Sequence, residues 1–130
     1  MRVLPLAFGA LVLVAATAGA LVAGGQSSAP APVTVHVAAE RFSFTPSEIR
    51  ATVGTPLTIS LTSDDTAHGF RILGTDINVE IPKRSRGAVA VTFTPTEAGT
   101  YTFECSKLCG AGHSFMRGEI VVAAPASERP

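Results

Sequence analysis

From residue 33 onward, apolar and polar positions alternate with a period of two. Val33, Val35 and Val37 are interleaved with Thr34 and His36, and Phe42 and Phe44 repeat the pattern until Pro46 stops it. A period of two sends successive side chains to opposite faces, so each run reads as a half-buried strand. Residues 49–53 end at Gly54, and 57–61 follow after Thr55 and Pro56. Further short runs rich in β-branched and aromatic residues cover 70–72, 77–81, 89–93, 101–103 and 119–122, with a turn over 95–99. Such runs, near-regularly spaced and punctuated by Gly and Pro, predict an all-β Greek-key β-sandwich. No helical face is predicted beyond the N-terminus.

Ahead of this pattern the chain changes character. Residues 3–26 carry no charge, and Arg2 is the only charged residue before them. Residues 3–23 match the roughly 20 apolar residues of a membrane span. A signal peptide would use the same segment, with Arg2 as its n-region and cleavage after Ala16-Thr17-Ala18 or Ala18-Gly19-Ala20. The expected organisation is an apolar anchor or signal helix at 1–24, a Ser- and Pro-containing linker at 25–32, a sandwich domain at 33–123 and a tail at 124–130. Arg2 favours an N-terminus kept inside, so either use of the segment places the domain outside the cytoplasm. A single-pass membrane protein with its domain on the periplasmic or extracellular side is expected; an exported soluble protein is the alternative.

Ten basic residues balance ten acidic ones, and there is no basic stripe, so nucleic acid is not an expected partner. The chemistry is concentrated at 105–116, in the run Cys-Ser-Lys-Leu-Cys-Gly-Ala-Gly-His-Ser-Phe-Met. Thiolate, imidazole and thioether are the ligand set of copper. One cysteine suffices for a mononuclear site; the second, Cys109, points to two thiolates bridging a copper pair. Such a pair needs a second histidine, and His68, in Asp64-Asp65-Thr66-Ala67-His68-Gly69-Phe70, is the candidate. Gly110 and Gly112 are expected to make the loop pliable. Phe70 and Phe115 are expected to exclude water. Asp64, Asp65 and Asp76 lack a calcium-loop spacing and read as surface turn residues, and His36 reads as an ordinary residue on a polar strand face. A disulfide between the cysteines explains neither His113 nor Met116, and zinc gives Met116 no role. Hydrolytic use of Cys105 or Cys109 needs an oxyanion hole and a substrate pocket, neither of which is visible.

The motif C-S-x-x-C-G-x-G-H-x-x-M, preceded by D-x-x-H-G-F and G-T-D-I-N-V, resembles the CuA domain of cytochrome c oxidase subunit II over residues 42–122. The resemblance implies a cupredoxin sandwich holding a binuclear copper centre, two coppers per chain. Cys105 and Cys109 would bridge both ions and His68 and His113 would be terminal ligands. Met116 and the backbone carbonyl of Lys107 would be weak ligands, one on each copper. Electrons would come from cytochrome c or another small redox donor and pass to the haem–copper subunit I of a terminal oxidase, which carries the oxidase activity. The chain departs from that pattern in three ways. Lys107 stands where many members have a magnesium-binding glutamate, at most one membrane segment precedes the domain rather than two, and there is no Trp to serve as an electron entry point. It therefore resembles the single-anchor branch. A stand-alone exported cupredoxin carrying copper or electrons is the alternative, followed by a structural domain whose loop has lost its metal.

Overall fold

A computed structural model describes residues 24–25 and 28–128; the anchor or signal helix expected at the N-terminus lies outside them. Among the described residues, no helix is long and apolar enough to cross a membrane. The strands are β1 (Val33–Glu40), β2 (Ser43–Thr45), β3 (Glu48–Thr52), β4 (Leu57–Ser63), β5 (His68–Ile72), β6 (Asn78–Ile81), β7 (Val89–Phe93), β8 (Gly99–Glu104) and β9 (Arg117–Ala123). Short 3-10 turns cover His113–Phe115 and Ala126–Glu128.

The strands form two sheets, one in the order β2-β1-β4-β7 and the other β3-β9-β8-β5-β6. Two neighbouring pairs run parallel: β1 with β4, where Val33 lies opposite Leu57, and β3 with β9, where Glu48 lies opposite Glu119. Parallel neighbours require the chain to cross between sheets rather than fold back in a hairpin. The all-β sandwich expected from the alternation is therefore present, with almost no helix.

The alternation also sets which residues fill the core. Leu57, Ile59 and Leu61 of β4 point inward with Val37 and Ala39 of β1, opposite Ile72, Phe103, Ile120 and Val122 of the other sheet. Val33 breaks the pattern and is about half exposed, because it begins β1 at the rim of the sandwich. At the other end, Phe44, Phe70 and Phe103 meet as a trio. Their ring centroids are 5.8, 5.3 and 5.1 Å apart, the two contacts of Phe44 being edge-on. Such aromatic pairs add stability beyond the area they bury.

Phe103 is fully buried at the centre of this trio, one residue before the end of β8. Gly118 on β9 lets its ring come close, since a Cβ there would overlap the ring and the Ser47 carbonyl. Phe103→Ala should cost about 3–5 kcal/mol, the usual range for emptying a buried aromatic site. Chemical denaturation should show a lower midpoint with an unchanged slope; an unchanged midpoint would mean the trio does not carry the core at this end.

Candidate metal centre

Two connections, one crossing between the sheets and one joining neighbouring strands of a single sheet, deliver the donor atoms to one end of the sandwich. The first leaves β4 at Ser63, whose buried hydroxyl accepts the Asp65 N–H at 3.2 Å and donates to the Thr66 carbonyl. This tight turn aims the Asp65 carboxylate two ways. Oδ2 accepts the Arg41 N–H at 3.0 Å, and Oδ1 lies 2.7 Å from His68 Nε2. Burial pushes the Asp65 carboxyl upward, but the hydrogen bonds from His68, Arg41 and Thr66 outweigh it and hold the carboxyl at about 2. An ionised carboxylate on Nε2 fixes the orientation of the ring and leaves Nδ1 free to act as a ligand. His68 is completely buried, and its Nδ1 lies 4.0 Å from Cys105 Sγ.

The second connection is the loop that leaves β8 and returns as its antiparallel neighbour β9. Cys105 is tied back to the start of β9 by its N–H to the Met116 carbonyl at 3.0 Å. Its Sγ lies 3.8 Å from Cys109 Sγ and 3.1 Å from the Lys107 carbonyl oxygen, and it accepts the Gly69 N–H at 3.5 Å. Cys109 Sγ in turn lies 3.8 Å from His113 Nδ1 and 3.9 Å from Met116 Sδ. The donors thus form a cluster: His68 Nδ1 and the two sulfurs lie within 4.8 Å of one another, and His113 Nδ1 adjoins Cys109. The thioether of Met116 stands beside Cys109, and the Lys107 carbonyl beside Cys105. Both cysteines and Met116 are buried, while His113 is half-buried.

The sulfurs are free thiols and too far apart for a disulfide, whose S–S bond is about 2.05 Å. Burial first, then the hydrogen bond and charge of Cys105, push the Cys109 thiol up to about 11. In the metal-free protein this thiol is protonated at neutral pH, so binding a metal must release its proton.

Several sequence expectations change here. Asp65 is not a plain surface turn residue, because it orients His68; Asp64 and Asp76 do stay exposed. Gly110 and Gly112 serve close contact as well as backbone angle. A Cβ on Gly110 would come within 2.9 Å of the Phe42 ring, and one on Gly112 would overlap the same ring. Gly110 also takes a φ of 143°, which side chains other than glycine's resist. Phe42 itself is not a strand residue; it sits in the turn before β2 and lies half-buried against the loop. Phe70 is fully buried, as expected, but Phe115 is 80% exposed and shields nothing. It closes a one-turn 3-10 segment whose residues have no sheet behind them. His36 stays exposed on β1 and is not part of the donor cluster. The Lys107 side chain turns outward to pair with Glu80 at 3.1 Å, while its carbonyl faces Cys105.

The chain matches the model of the cupredoxin-like domain over residues 6–122. It is 39% identical over 93 residues to a cytochrome c oxidase subunit 2 of Thermus thermophilus, covering 72% of this chain and 67% of that protein. The chain belongs to this family of cupredoxin-like oxidase subunits. A second subunit 2 from the same species is also 39% identical, and the chain spans about half of its length, 54%. The cupredoxin fold also aligns with a heme-copper terminal oxidase dimer solved by cryo-electron microscopy. There the TM-score is 0.62 at 29% identity, over 69% of this chain and 64% of that one.

The donor chemistry of this cupredoxin domain fits copper. Two thiols, two imidazoles and a thioether are soft or borderline donors, unsuited to magnesium or calcium. A tetrahedral zinc site would use two cysteines and two histidines and leave the Met116 sulfur idle beside Cys109. His68, Cys105 and Cys109 already hold their ligand atoms within 4.8 Å of one another. His68→Ala should abolish or deform the copper spectrum, whereas His36→Ala should leave it unchanged. Titration with Cu(II) under mild reductant, followed by optical spectroscopy, separates the two; identical behaviour would remove His68 from the ligand set.

Proposed function

We propose that this domain is the CuA electron-transfer centre of a terminal oxidase, accepting electrons from cytochrome c and passing them to the haem–copper subunit I. The observation that carries this reading is the donor cluster, in which two adjacent buried thiols 3.8 Å apart each have an imidazole nitrogen within 4.0 Å. A mononuclear blue-copper site takes two imidazoles and one thiolate and has no use for the second thiol. Membership of the subunit 2 family supports the reading, and so does the soft character of the donors. Cys105 and Cys109 are assigned as bridging ligands, His68 and His113 as terminal ligands, and Met116 Sδ and the Lys107 carbonyl as weak ligands. In this role residues 1–24 anchor the domain to the membrane, with 25–32 as linker and the copper domain on the periplasmic side. The oxidase chemistry then belongs to the assembled complex.

A copper pair held by Cys105, Cys109, His68 and His113 would supply one-electron transfer. The chain's own residues keep the rearrangement small. Cys105 is fixed by the end of β8 and by its hydrogen bond to Met116. His68 is fixed by Asp65, Met116 is buried beside Cys109, and Phe70 is buried in the same core. A stiff, dry surround of this kind tunes the potential of a metal centre and resists the movement that would slow electron transfer.

The outer face of the loop suits a redox partner. Leu108 and Phe115 are 81% and 80% exposed and flank Cys109 and His113 in the chain. In the absence of Trp, these side chains form the apolar surface through which a donor would approach the half-buried His113 edge.

Metal analysis after reconstitution should give two coppers per chain, with an electron-spin spectrum of one electron delocalised over both. One copper with a mononuclear blue spectrum would defeat the binuclear reading. Phe115→Ser should preserve that spectrum and the rate with a small inorganic reductant, yet slow reduction by a donor protein. Equal rates with both reductants would place donor docking elsewhere.

A further inference from the structure

Arg41 touches both loops that carry the donors, although nothing in its sequence context marks it. It is an exposed residue in the turn between β1 and β2. Its Nε–H donates to the Cys109 carbonyl at 2.7 Å, a part-buried contact across 68 residues of chain. Its backbone N–H donates to Asp65 Oδ2 at 3.0 Å, and the other oxygen of Asp65 holds His68 Nε2. The next residue, Phe42, lays its ring against Gly110 and Gly112. One short turn therefore grips the Cys109–His113 loop directly and His68 through Asp65.

We propose that Arg41 is a positioning residue of the copper centre, clamping the Cys109 carbonyl while its backbone holds the Asp65–His68 pair, so that the β1–β2 turn sets the spacing between the two ligand-bearing loops. This rests on the copper reading of the same site. The physical case is that the loop after β8 lies outside both sheets and has no ladder to hold it. A charge-assisted hydrogen bond from a planar guanidinium fixes both the distance and the direction of a carbonyl, which a lysine ammonium does not. The cation has a second consequence. A positive group beside the centre favours the reduced, less positive state, and so raises the reduction potential.

The two halves of the clamp separate cleanly by mutation. Arg41→Ala keeps the backbone N–H on Asp65 and removes only the grip on Cys109. Arg41→Lys keeps the charge without the planar donor, and Arg41→Gln keeps a donor without the charge.

In the metal-free full chain, amide hydrogen exchange over residues 109–113 should accelerate roughly tenfold in Arg41→Ala, the scale of one lost hydrogen bond to a charged group, while amides of β4 and β9 stay as in the wild type. That reading does not depend on copper, so the clamp is tested even if the wild type binds none, a result that would defeat the CuA reading alone. In the copper-loaded protein the potential should fall in Arg41→Ala and Arg41→Gln and hold near wild type in Arg41→Lys. Copper release to a chelator should be faster in both Arg41→Ala and Arg41→Lys. Wild-type exchange over 109–113 in Arg41→Ala would overturn the proposal. So would wild-type copper release in Arg41→Lys, since charge alone would then suffice.

Discussion

The register between β5 and β8 is the constraint on which the site depends. Arg71 lies opposite Glu104 and Ile72 opposite Phe103, so β5 runs past the end of β8 by the length of His68–Phe70. The loop that follows β8 must then lie alongside Gly69, which puts the Cys105 sulfur on the Gly69 N–H and beside His68. A Cβ at position 69 would come within 2.6 Å of the Lys107 nitrogen, so only glycine permits the approach. A slip of one residue would send Cys105 to the opposite face of the sheet, because side chains alternate. Packing prevents the slip: Phe103 on β8 and Phe70 on β5 stack within the buried aromatic trio. The ion pair of Arg71 with Glu104 adds a polar check on the same register, although exposed pairs contribute little stability.

That arrangement forces a compromise between burial and charge. Dry surroundings suit a redox centre, but they penalise the ionised thiols that a metal requires, and the high position of the Cys109 thiol is the visible sign. The one carboxylate at the centre is kept off the metal side of His68. Asp65 meets the ring at Nε2, while the Cys105 sulfur lies at Nδ1. The carboxylate thus orients the histidine and is itself held by Arg41 and by its own tight turn, without presenting its charge as a competing ligand. The apparatus is polar on one edge and apolar on the other, and His68 is the boundary.

Much of this is legible in the chain, for identifiable reasons. Alternation locates the strands because each has one buried face, and the donor residues stand out because cysteine, histidine and methionine are sparse here. What stays hidden is whatever depends on two segments meeting. Asp65 reads as a turn residue until its partner His68 is seen to curl back over it. Arg41 sits among strand residues with no local sign that its guanidinium reaches a carbonyl 68 positions away. Gly110 and Gly112 suggest flexibility, whereas the Phe42 ring lying on them makes them points of contact. Phe115 misleads because an aromatic beside a ligand suggests shielding, yet a one-turn segment at the end of the sandwich has no second layer to bury it. The parallel pairing of β1 with β4 and β3 with β9 belongs to the same class, since period and length specify a strand but not its neighbour.

The loop after β8 combines two demands that usually conflict, and it resolves them by having two faces. Cys105, Cys109 and Met116 turn inward and are buried; Lys107, Leu108, Ser114 and Phe115 turn outward and are exposed; His113 stands at the edge between them. At Lys107 the division runs through a single residue, with the carbonyl facing Cys105 and the ammonium reaching Glu80 on β6. The side chain at such a position is free to vary without altering what its backbone offers the sulfur. The inner face is held by the sheet register, by Met116 and by the clamp from the β1–β2 turn. The outer face is held by the contacts of Ser106 with Asn78 and of Lys107 with Glu80. Surface chemistry and donor geometry therefore have separate supports on one short segment, and a change of partner need not disturb the centre.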